Sequence, residues 1–167
     1  MKKIYIISFV LISLVNCYSQ TSQTYFENGV EKSKLKNFQG AIVDLSKAIS
    51  LDSNFTKAYL ERGVAKFKMK DDRGAMVDYN KVIELDRNNY NAYFNRGQVK
   101  FRLSDYNGAI ADFTKAIEIN PDFIMAYNSR GVTRYYNGDK ENGCLDFSKA
   151  GELGDAQAYE HIKAFCN

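Results

Sequence analysis

The sequence predicts an all-α chain: a solenoid of four helix-turn-helix units with a capping helix at its C-terminal end. Three observations carry that prediction. Gly29, Gly63, Gly97 and Gly131 fall 34 residues apart without slippage. Asp44, Asp78, Asp112 and Asp146 keep the same period, as do the columns of Lys47, Tyr25 and Ala41, the last ending in Gly143. Within each period the apolar residues recur at helical spacing in two blocks. Independent columns that share one period are the mark of stacked repeats.

Taken in order, the first element is an export signal over residues 1–19. Lys2 and Lys3 precede the apolar run Ile4–Val15, and Cys17 and Ser19 stand three and one places before a cut ahead of Gln20. The run is shorter than the roughly 20 residues a membrane span needs. Leu14-Val15-Asn16-Cys17 also resembles a lipoprotein box, with Asn16 bulkier than usual there, so anchoring through Cys17 is the alternative. Either route exports the protein, to the periplasm or outside the cell.

The four units occupy 22–55, 56–89, 90–123 and 124–157 of a domain spanning 20–167. The third shows the pattern most plainly. Ala92, Tyr93, Val99 and Leu103 mark its first helix, with Gly97 where two helices come close. A turn follows at Ser104-Asp105-Tyr106. Ala109, Ile110, Phe113, Ala116, Ile117 and Ile119 then give the second helix its apolar face. Asn120-Pro121 ends it, because Pro lacks a donor and clashes with the preceding turn. Such a hairpin cannot bury its face alone, so neighbours stack.

Composition bounds the function. With 45% hydrophobic and 14% aromatic residues in 167, the chain builds one globular core. Loss of Lys2 and Lys3 from a chain of charge +3 leaves the two signs nearly balanced, and nothing predicts nucleic-acid binding. A lone His161 excludes His-cluster metal sites and heads no recognisable catalytic constellation. No catalytic residue, metal ligand or cofactor site is assigned.

Cys144 and Cys166 remain after signal removal, an even count in an exported protein. They lie at similar distances on either side of the Gly154 turn. Antiparallel helices rising about 1.5 Å per residue bring them level, so a disulfide fastening the cap is expected. The Asp column recurs with Arg62, Arg96 and Arg130, while the first unit has Asn28 instead. Each Arg is therefore expected to reach back to the previous unit's Asp, such as Arg96 to Asp78.

These residues resemble the tetratricopeptide repeat family, in which Tyr93, Gly97, Ala109, Phe113, Ala116 and Pro121 fill the family's places. The resemblance implies a right-handed superhelical solenoid that binds a protein or peptide in its concave groove. Leu45, Val82 and Gly143 depart from the pattern mildly. The stretch Ala150–Tyr159 resembles Sel1-like repeats, and a cap helix over about 156–165 follows from it.

Carried over residue by residue, the family's groove positions hold Phe26, Lys34, Leu60, Val64, Lys68, Phe94, Gln98, Arg102, Asn128 and Tyr136. Leu60 and Phe94 are the leading groove candidates, whereas Phe67, Phe101 and Tyr135 are expected to pack between repeats. Lys34, Lys68 and Arg102 form a basic line that favours an acidic partner segment. The carboxylate clamp of chaperone-tail binders is absent: in the two possible registers only Asn95 matches. The expected molecule is a non-enzymatic binding module, a monomer or weak oligomer. The alternative is a structural subunit of an envelope assembly that uses the convex face or repeat ends.

Overall fold

The computed structural model describes residues 21–166, so the signal sequence and Cys17 lie outside the described residues. The described chain forms nine helices: α1 (Ser22–Lys34), α2 (Phe38–Leu51), α3 (Thr56–Lys68), α4 (Asp72–Leu85), α5 (Tyr90–Arg102), α6 (Tyr106–Ile119), α7 (Ile124–Tyr136), α8 (Lys140–Glu152) and α9 (Ala158–Phe165). Eight pair into hairpins, and each hairpin packs on the next. The first helices of neighbouring hairpins also approach one another, whereas the second helices do not. That asymmetry bends the stack into a superhelix and puts α1, α3, α5 and α7 on its concave side.

Local chemistry repeats with the sequence. Asn37, Asp71, Asp105 and Asp139 cap α2, α4, α6 and α8, each side chain accepting from the backbone N–H three residues on. The turn before each cap passes through a left-handed residue: Lys36, Lys70 and Ser104 in the first three, and Gly138 in the fourth. Inside each hairpin, a glycine lets the helices touch. A Cβ on Gly97 would lie 2.7 Å from Phe113 Cε1, and one on Gly63 would lie 2.6 Å from the Tyr79 ring.

Between hairpins, small side chains of one first helix seat against the preceding second helix. Ala58 and Ala65 pack with Ala41, Leu45 and Ala48; Val99 packs with Ala75 and Tyr79. The first unit departs from this. Thr24 and Glu31 stand where the second has buried Ala58 and Ala65, and Asn28 stands where it has Arg62. The outward side of α1 thus carries polar residues at the positions that are apolar or paired in the later units. At the other end α9 covers α8: Phe165 stacks on Phe147 at 5.5 Å, and Ala158 is buried. Cys144 and Cys166 join α8 to the end of α9, with Cα atoms 5.8 Å apart. The cap helix begins at Ala158 rather than near 156, because Asp155 first accepts from the backbone N–H of Gln157 in a turn.

The Arg–Asp expectation is corrected. Arg96 holds Asp112 of its own unit, not Asp78, through Nε at 2.8 Å and Nη2 at 2.6 Å. Arg62 and Arg130 hold Asp78 and Asp146 in the same way. The remaining nitrogen is what reaches back. Nη1 donates to Ser46 from Arg62, to Asn80 from Arg96 and to Thr114 from Arg130. The facing helix of the same hairpin is nearer than the previous Asp, so the fork closes there first. A second cation completes each site: Lys66, Lys100 or Arg134, 2.7 Å from the same carboxylate.

Candidate functional site

The concave side carries a cavity of ≈ 460 Å³ toward its C-terminal end. Phe67 of α3 and Phe101 of α5 supply two aromatic walls, and Val132 of α7 a third apolar surface. Phe113 and Thr133, both nearly inaccessible, form its floor. Gln98, Arg102, Asn128 and Ser129 stand around it, and His161 of the cap closes one side.

The charged groups here are already engaged. The Arg102 guanidinium lies 3.7 Å over the Phe67 ring, and it pairs with Asp72 and donates to the Phe67 carbonyl. Its pKa is lowered by burial. At the cap, Asn128 Nδ2 donates to Asp155 Oδ2 at 2.8 Å, and His161 Nδ1 lies 3.2 Å from Asn128 Oδ1. The Asp155 carboxyl is held below its ordinary pKa, first by the Gln157 backbone N–H and then by Asn128. The His161 ring packs on Phe147 at 5.3 Å.

The ten sequence-assigned groove residues divide three ways. Gln98, Arg102 and Asn128 line the cavity. Lys34, Lys68 and Tyr136 are exposed, with Tyr136 against Phe101 at 5.8 Å. Phe26, Leu60, Val64 and Phe94 pack. Phe94 is only 7% exposed and meets Phe123 at 4.8 Å and Phe113 at 5.7 Å, so it belongs to the core. Phe26 meets Phe55 in the same manner at 5.0 Å. This column is therefore the joint to the loop that ends each unit. In the fourth unit Asn128 takes the place, and the joint becomes the polar contact with Asp155 and His161. The basic line is also interrupted, since Arg102 is turned onto Phe67 and Asp72.

Phe67 and Phe101 thus face the cavity rather than serving only as packing, and His161, Ser129 and Thr133 join them there. One signal was legible: Asn128 breaks a column otherwise held by Phe26, Leu60 and Phe94. Glu61, half-buried in α3, has its pKa raised by burial. Among the described residues no group of His, Cys, Asp and Glu is arranged to hold a metal ion. No helix among them is long and apolar enough to cross a membrane.

Tetratricopeptide repeat models match residues 56–89 and 90–123. No curated protein matches the sequence. Among solved structures, MamA is 26% identical, covers 88% of this chain and 86% of its own, and superposes with a TM-score of 0.79. The first such domain of Spaghetti (RPAP3), bound to the HSP90 peptide SRMEEVD, is 25% identical. It covers 72% of this chain and 95% of its own, at a TM-score of 0.70. The Arabidopsis OM64 domain is 26% identical over 70% and 97%, at 0.69. Two repeat matches, a shared superhelix and the columns of residues that build it give one conclusion: this chain belongs to the tetratricopeptide repeat family, whose fold is an interaction scaffold.

Proposed function

We propose that the chain is an exported, non-enzymatic module that binds a peptide or helix of a partner protein in its concave groove. The observation that carries this reading is the ≈ 460 Å³ cavity on the inner face, walled by Phe67, Phe101 and Val132. Aromatic side chains in a concave strip are the material of binding hot spots. Exposed Lys34 and Lys68 favour acidic residues in the bound segment, and the balanced charge favours protein over nucleic acid. The signal over residues 1–19 supports export, and a Cys144–Cys166 disulfide suits an oxidising compartment.

The test compares the parent with a Lys34→Glu, Lys68→Glu variant of unchanged helicity, both positions being exposed, each protein used to capture partners from an envelope extract. A partner kept by the parent and lost by the variant supports the groove; equal retention removes it. Mass spectrometry of the isolated protein checks the N-terminus. Gln20 is expected, whereas an acylated Cys17 would make the protein lipid-anchored.

One observation favours a second reading, a structural subunit working through its convex side. Val43, Val77 and Leu145 share one repeat position and are 54%, 65% and 62% exposed, a spaced apolar line on the second helices. Under that reading Val77→Asp, not the groove variant, releases the partner.

A further inference from the structure

The cavity at the cap differs from the rest of the groove in its charge balance and its shape. Three phenylalanine rings, Phe67, Phe101 and Phe113, contribute to its lining. Its volume of ≈ 460 Å³ falls in the range of roughly 300–1,000 Å³ that ligand pockets occupy. Arg102, the one lysine or arginine among its lining residues, is paired with Asp72 and stacked on Phe67, and His161 faces Asp155. The nearby acid, Asp155, is held by Asn128 and by a backbone N–H. A charged occupant would lose its water and gain no counter-charge. Among the side chains that line the cavity, the Gln98 amide and the Ser129 hydroxyl make no hydrogen bond. They offer one donor-acceptor set to a space whose other polar side chains are already engaged and whose walls are the phenylalanine rings and Val132.

We propose that this capped end of the groove receives one uncharged aromatic side chain of the partner segment, an indole or a phenol. Its ring packs against the phenylalanines, and its N–H or O–H meets Gln98 or Ser129. Rings prefer tilted and edge-to-face neighbours, which the three lining rings can supply. The polar edge distinguishes an indole or phenol from an aliphatic anchor, because it satisfies groups that a leucine would leave dry. This assignment rests on the reading that the groove binds a protein segment.

The chain contains no Trp, so an added indole is the one emitter under red-edge excitation. The probe is N-acetyl-tryptophanamide, titrated into protein isolated from cells that make the full chain. A saturable blue shift is expected, with a Kd on the order of 1 mM for so small a ligand. N-acetyl-tyrosinamide should compete and N-acetyl-lysinamide should not. Ser129→Phe, which fills the mouth, and Val132→Asp, which charges the wall, should each weaken binding about tenfold or more, while Val77→Asp on the convex face leaves it unchanged. Circular dichroism screens both pocket variants for folding, and Ser129→Phe keeps the test open if Val132→Asp unfolds.

No saturable shift, or an equal shift in Ser129→Phe, overturns the assignment even where Lys34→Glu, Lys68→Glu still loses a captured partner; the groove reading then stands alone. A probe that binds as expected while the captured partner tolerates Ser129→Phe identifies a free small aromatic molecule as occupant, and overturns the partner's side chain.

Discussion

Each internal unit places one nearly buried carboxylate between two cations, and the outcome of losing it follows from that arrangement. Asp112 is 4% exposed and holds both Arg96 and Lys100. Asp112→Ala would strand two dehydrated cations, with an expected loss of about 3–5 kcal/mol. In the first unit Asp44 meets Lys32, which is better exposed, and no arginine stands at Asn28. Asp44→Ala should cost only about 1 kcal/mol. Urea midpoints of the two variants check the pair, and equal losses would refute the two-cation account. Glu61 behaves in the opposite sense. Burial raises its pKa, so its folded form binds a proton more readily, and the penalty is complete only above that raised value. Glu61→Gln should therefore raise the melting temperature at neutral pH, with the gain closing as pH falls toward about 4. Asp155, held low by Gln157 and Asn128, stabilises above the ordinary carboxylate range and loses that contribution below it.

Among the elements, the glycine column sets how closely each hairpin closes. Gly97→Ala would drive a methyl into the Phe113 ring, which is itself buried and cannot retreat. The expected cost is about 1–3 kcal/mol, read as a shift in urea midpoint, with partial recovery in Gly97→Ala, Phe113→Leu. The cap yields a different kind of prediction. The Cys144–Cys166 link closes a loop of 22 residues, worth about 3 kcal/mol in the chain-entropy model. Reduction should raise amide exchange in α9 while α3 to α6 keep their protection, since α9 packs on the fourth hairpin, α7 and α8, rather than deeper in the stack. The sequence discloses elements of this sort well. The period places the eight helices of the four units, and the signals that end them, Asn120-Pro121 among them, are local. Contacts between helices are harder to read. Whether Arg96 turns to Asp112 or Asp78, and whether Phe94 or Phe101 faces the groove, depends on the rotation of one helix against the next. The repeat period is silent about that rotation, because every unit shares it.

At the scale of the whole stack, and among the described residues, the two outer hairpins differ: α1 carries polar residues on its outer side, and α8 has a helix laid across it. Replacing Thr24, Asn28 and Glu31 by Ala, Arg and Ala would restore the internal pattern on the outer side of α1. Sedimentation should then show the variant self-associating more than the parent; equal behaviour would mean that the polar face is not what stops the stack. The cap was legible as a cap, yet its contribution to the cavity was not, since His161 meets Asn128 only through the packing of α9 against the fourth unit. One feature reaches further. Each arginine fork grips its own unit and reaches with Nη1 to a short polar side chain one unit back, be it Ser46, Asn80 or Thr114. A joint that accepts a serine, an asparagine or a threonine alike is an interchangeable coupling. The chain can therefore grow by tandem duplication of a middle unit: a copy of 56–89 inserted in frame would find an acceptor behind it and an arginine donor ahead of it, and lengthen the groove while leaving both terminal fittings as they are.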